Sequence, residues 1–190
     1  MSGKDQEVFS ALANCYGYAV KCKTPINSHN GGQAVPAGEK YSGNLDNYCQ
    51  RLKQGILSDG GNKVSFLSEA SVNTLQTANI PTPRSGWYLI ALLVKKDGFH
   101  FVRRQLKHLG GEPFWKWKQG NPGKVERNAY DFGTAKAWVR VTNANFPELI
   151  KGSLLTDVPG YKGWDKVYFF EVDKSGFNVT SYVEKPVVII

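Results

Sequence analysis

The sequence predicts an α+β domain, with helices in its N-terminal part and an antiparallel β-meander after them. Three observations lead there. The clearest helical periodicity, Leu45, Tyr48, Cys49 and Leu52, comes early in the chain. The longest apolar run, Trp87 to Val94, is followed by an Asp-Gly turn and then by strict alternation, the pattern of a buried strand and its hairpin partner. No repeat, charge block or linker divides the 190 residues, so a single domain is expected over 1–190, helical at about 7–80 and sheet at about 86–185.

Taken in order, residues 7–22 open with a short apolar approach. Asn14 is placed to cap a helix carrying Cys15, Tyr18, Ala19 and Cys22 at helical spacing. Lys21 and Lys23 suit its C-terminal end, and Thr24-Pro25 stops it. Residues 27–43, rich in Asn, Gly and Pro and containing His29, read as loop. Residues 44–57 form the amphipathic helix, with Asn44 as its cap, and Ser58-Asp59-Gly60-Gly61 closes it. Phe66 to Ala78 is expected to add a short helix that Pro81 and Pro83 end.

Beyond Gly86 the period changes from helical to strand-like. After Trp87–Val94, the turn Lys95-Lys96-Asp97-Gly98 leads into Phe99–Arg104. There Phe99, Phe101 and Arg103 share one face, and His100, Val102 and Arg104 the other. Phe114–Lys118, Trp138–Val141, Val167–Val172 and Phe177–Val183 supply further strands, with Lys174-Ser175-Gly176 as a hairpin turn between the last two.

Composition bounds the function. With 41% apolar and 21% charged residues the chain can bury a core, which excludes wholesale disorder. Its longest apolar run has eight residues where a membrane span needs ~20. The polar start, Met-Ser-Gly-Lys-Asp-Gln-Glu, lacks a secretory h-region, so a cytoplasmic location or export by a non-Sec route is expected. The net charge of +8 favours anionic partners without choosing among nucleic acid, acidic cell-wall polymer and headgroups.

Cys15, Cys22 and Cys49 are odd in number and widely spaced, which suits free thiols better than a disulfide framework. No Cys-x-x-Cys or His-x-x-x-His pair signals a metal, and no cofactor is called for. A thiol turns nucleophilic where its thiolate is stabilised, as at a helix N-terminus, and Cys15 stands there. Of the three histidines, His100 opens a strand directly after a turn and is the best candidate base. Asn128 and Asp131 follow as candidates to orient its imidazole. The order Cys, His, Asn/Asp is that of papain-like enzymes. The ordinary alternative is a buried cysteine and a structural histidine.

Asn14-Cys15-Tyr16-Gly17-Tyr18-Ala19 resembles the Asn-Cys-Tyr-x-Tyr-Ala element of an uncharacterised bacterial and phage group related to the NlpC/P60-like, papain-fold cysteine peptidases and amidases. Phe99-His100-Phe101-Val102-Arg103-Arg104 resembles that group's aromatic-His-aromatic-x-Arg strand. The similarity also takes in Pro36-Ala37-Gly38, Cys49–Gly55 and Gly86–Val94, within roughly 12–131. It implies a papain-like fold in which Cys15 is the nucleophile and His100 the base, with Asp131 or Asn128 orienting it. The Cys15 N–H and the Asn14 side chain would then form an oxyanion hole for amide cleavage in a peptide or peptidoglycan stem. One departure stands out: where the group often carries Trp-Ser-His-Lys-Pro-Gly, this chain has Trp115-Lys116-Trp117-Lys118-Gln119-Gly120, with Trp117 in place of the histidine.

Phe114-Trp115-Lys116-Trp117-Lys118 supports another expectation. Trp115 and Trp117, with Arg103 and Arg104 nearby, could hold nucleic acid or another anionic polymer by stacking and charge. Strand alternation alone also explains the pattern, with tryptophans inside and lysines in water. The function expected is therefore a cysteine hydrolase cleaving an amide through Cys15 and His100; the alternatives are a non-enzymatic basic binding module and a papain-like protein that has lost its base and binds a partner.

Overall fold

The computed structural model describes residues 15–22, 33–34, 43–96, 98–105, 113–117, 130–131, 138–139, 141–151, 163–179 and 182–183. In chain order these form α1 (Cys15–Ala19), β1 (Gln33–Ala34), α2 (Leu45–Gly60), β2 (Val64–Ser71), β3 (Trp87–Lys95), β4 (Gly98–Gln105), β5 (Phe114–Trp117), β6 (Tyr130–Asp131), β7 (Trp138–Val139), α3 (Phe146–Lys151), β8 (Lys166–Asp173) and β9 (Tyr182–Val183). The architecture is α+β around a five-stranded antiparallel sheet in the order β2-β8-β3-β4-β5. Two-stranded pairs β1-β9 and β6-β7 stand beside it.

The apolar run becomes β3, bonded to β8 on one side and β4 on the other. Residues Tyr88 to Val94 are all buried, so both faces of the sheet must be covered. On one face Ile90, Leu92 and Val94 join Phe99, Phe101, Tyr168 and Phe170 under α1 and α2. On the other, Leu89, Ala91 and Leu93 join Val102, Trp115, Val167 and Phe169 under α3 and two 3-10 turns, Val72–Thr74 and Thr77–Asn79. These two apolar layers are the core.

Helix α2 matches its periodicity, with Tyr48, Cys49, Leu52 and Ile56 buried. The Asn44 side chain accepts the Asn47 N–H at 3.0 Å, a cap that contributes about 1 kcal/mol. The helix runs past the expected Ser58 stop to Gly60 and ends at Gly61, whose φ of 53° suits a residue without Cβ.

Several expectations give way. Phe66–Ala78 is not a helix: β2 pairs with β8 over Val64–Ser71, and the remainder makes only 3-10 turns. Cross-strand burial there overrides local spacing. The sheet is not a pure meander, because β8 inserts between β2 and β3. Residues 27–43 contain a strand, β1, which pairs with β9. Phe177–Val179 form no strand, and the Phe177 N–H bonds to Val20, so Asp173–Gly176 is a turn without being a hairpin between adjacent strands. Helix α1 ends at Ala19, short of Cys22. The expected segment 7–14, with the Asn14 cap, lies outside the described residues, as do His29 and His108.

The turn after β8 clasps α1 to the sheet. The Phe177 N–H donates to the Val20 carbonyl at 3.2 Å, and the Gly176 N–H to Asp173 O at 2.8 Å. Gly176 has φ 67°, and a Cβ there would sit 2.3 Å from the Val20 carbonyl oxygen. A left-handed backbone and a clash of the added Cβ with the Val20 backbone combine at one residue. Gly176→Ala is therefore expected to destabilise the domain by roughly 2–3 kcal/mol, read as a lower urea midpoint at unchanged m value.

Candidate functional site

Strand β4 is the spine of the site, because alternation sends its side chains to opposite layers. Phe99 and Phe101 point to the α1 side, where the Tyr16 ring lies 4.7 Å from that of Phe101. Cys15 is fully buried in the same layer. His100 points the other way. It is 3% exposed, and its ring stacks on Trp164 of the opposite layer at 6.3 Å and 29°.

Cys15 and His100 thus sit on two sides of the sheet, and the expected thiol–imidazole pair is not assembled. Burial explains the outcome: two neighbouring phenylalanines outweigh one histidine in choosing which face of β4 meets α1. Burial also lowers the His100 pKa to about 4, leaving a neutral imidazole at neutral pH. Cys22 and Cys49 are likewise buried, and neither is in a disulfide. The Cys22 Sγ accepts the Val179 N–H at 3.4 Å, and burial pushes the Cys49 thiol up.

Of the expected orienting groups, Asp131 stands in β6, paired with Trp138 of β7. Asn128, like Asn14, lies outside the described residues. The stacking platform is not formed by Trp115, which is 1% exposed and stacks on Phe146 at 4.3 Å. Its indole N–H donates to Asn143 Oδ1 at 3.0 Å, so the residue is core. Trp117 pairs in register with Val102 at the end of β5.

The arginines behave differently from one another. Arg103 emerges on the α1 side, where its Nη1 donates to the Tyr18 carbonyl at 2.9 Å. Its guanidinium lies 4.2 Å from the centre of the Tyr18 ring and 5.9 Å from that of Tyr88. Lys21 reaches the same place, with Nζ 4.6 Å from the Tyr88 ring centre and a 3.0 Å bond to the Lys174 carbonyl. Burial lowers the Lys21 pKa and the nearby Arg103 charge lowers it further, while Asp173 opposes both. Asp173 is itself held by the Ser175 hydroxyl and N–H. Arg104 emerges on the opposite face, buried, with a guanidinium whose pKa burial lowers.

Lys21 and Tyr88 were not singled out by the sequence, and the reason lies in how α1 ends. The Cys22 N–H reaches the Gly17 carbonyl at 2.9 Å and the Lys21 N–H reaches Tyr18 O at 3.3 Å, a Schellman closure. Its left-handed residue is Lys21, at φ 52°, where glycine is the usual occupant. The only local signal was a lysine at a helix end.

Among the described residues no group of three or more His, Cys, Asp or Glu could hold a metal ion, and no helix is long and apolar enough to cross a membrane. Comparison with protein-family models, curated proteins and solved structures finds no match.

The buried neutral His100 makes stability depend on pH. Its folded pKa of about 4 lies below the ordinary 6.5, so between these values the unfolded chain takes up a proton that the folded chain refuses. Stability from this source is complete above pH ~6.5 and is lost as pH falls toward 4, a span of about 3 kcal/mol. Urea unfolding from pH 7 to pH 4 should show that loss, and His100→Phe should flatten it. An imidazole titrating near 6.5 by NMR in the folded protein would contradict the burial.

Proposed function

We propose that the domain is a non-enzymatic binding module for an anionic polymer, gripped at its phosphates or carboxylates by Lys21 and Arg103. In this reading the cysteine-bearing helix on the sheet is a papain-like framework that does not assemble a cysteine–histidine pair. The observation that carries the proposal is two half-buried cations held close together over Tyr18 and Tyr88. The Arg103 charge makes it harder for Lys21 to stay charged, and an anion between them relieves that repulsion.

Three further features support it. Lys21 occupies a left-handed position where glycine would cost about 1 kcal/mol less, so the lysine stands there against a local folding preference. Lys116 stands across from Arg103 in the β4–β5 register and extends the basic strip. The net charge of +8 supplies long-range attraction for a polyanion. Tyr18 and Tyr88 are 5% and 4% exposed and already covered by cations, so contact runs through charge rather than base stacking.

Amide hydrolysis by Cys15 and His100 would require sulfur and imidazole on one side of β4, and they face two different layers. The Trp117 substitution for the group's second histidine agrees with a chain that does no acid–base chemistry here.

A short single-stranded oligonucleotide and polyglutamate serve as the two polymer probes. Binding to at least one should weaken steeply with salt. For the oligonucleotide, Arg103→Gln should make the slope of log K against log salt shallower by roughly 0.7, one phosphate contact's worth. Lys21→Gly should raise stability by about 0.5–1 kcal/mol while weakening the same binding. Salt-insensitive or absent binding to both polymers would end the proposal.

A further inference from the structure

Arg104 shares neither the face nor the contacts of Arg103. Its side chain leaves β4 toward the layer of Val102 and Trp115, and only 9% of the residue is exposed. Nε and Nη1 are shut off from solvent and, among the described residues, have no hydrogen-bond partner. Glu171, a buried acid of the sheet, is provided for quite differently. The Arg84 Nε meets its carboxylate at 2.8 Å, and the Arg84 backbone N–H donates to it at 2.9 Å. Across from Arg104 in the β4–β5 register is Trp115, whose indole is a donor engaged with Asn143 and offers no acceptor.

A guanidinium cannot escape burial by losing its proton, because its pKa stays too high. Left without a counter-charge it is among the most costly groups to enclose. Its planar fork of N–H donors matches the two oxygens of a carboxylate or the oxygens of a phosphate. We infer that Arg104 anchors an oxyanion-binding site on the face of the sheet opposite Lys21 and Arg103, taking a carboxylate or phosphate group against the apolar flank of Val102 and Trp115. The site is independent of the polymer-binding reading, since it uses the other layer and a different residue.

The test is thermal unfolding in sodium phosphate, sodium acetate and sodium chloride at matched ionic strength, for wild type and Arg104→Met. Phosphate or acetate should raise the wild-type Tm above its chloride value by roughly 3–6 °C at ten times Kd. Arg104→Met should lose that rise and, in chloride, be at least as stable as wild type, because methionine removes the uncompensated charge and keeps the packing. Three results would overturn the inference. One is a wild-type response no greater than in chloride. Another is an unchanged response in Arg104→Met, which would put the anion elsewhere, Lys21 and Arg103 included. The third is a variant that is less stable in chloride or does not fold, which would make the guanidinium a structural group with a partner in the chain.

Discussion

The two-sided burial of β3 is the constraint from which the other features follow. A strand whose residues from Tyr88 to Val94 are all buried cannot lie on a sheet with a wet face. Helices α1 and α2 must cover one side, and α3 with the 3-10 turns the other. Once both sides are covered, each residue of β4 is committed to one layer by the period of two. Phe99, Phe101 and Arg103 go with α1, and His100, Val102 and Arg104 go away from it. A slip of one residue would exchange phenylalanines for a histidine beneath α1, and the burial lost makes that register unfavourable.

That commitment decides the chemistry. The thiol of Cys15 is sealed under aromatic rings, and the imidazole of His100 is sealed under Trp164, so neither reaches the other. What the α1 side offers instead is positive charge. Arg103 comes up from the sheet and Lys21 comes down from the closure of α1, and both settle over tyrosine rings. The turn at Gly176 holds that closure in place through the Val20 carbonyl. Backbone strain at Lys21, the clasp at Gly176 and the cation pair are therefore parts of one local arrangement.

Much of this was readable from residue patterns where the determining contacts are local. The spacing of Tyr48, Cys49 and Leu52 defines α2, and the run from Trp87 defines β3 together with the hairpin to β4. The alternation in β4 even separates His100 from Phe99 and Phe101. Which of those faces meets α1 is a long-range matter: the expected Cys15–His100 pair needs the histidine face, while burial selects the phenylalanine face. The same limit explains β2 and β8. Their pairing joins residues about a hundred positions apart, and no local period announces that β8 enters between β2 and β3. Arg104 and Lys21 were visible as charges, but their burial and backbone conformation exist only once the layers close.

The most direct measurement is an isotope-edited NOE experiment on protein labelled selectively at cysteine, histidine and tryptophan. The account predicts cross-peaks between the His100 ring and the Trp164 indole and none between the His100 ring and the Cys15 β-protons. Cross-peaks from His100 to Cys15 would contradict it, restore a thiol–imidazole pair on one side of the sheet, and return the domain to amide chemistry.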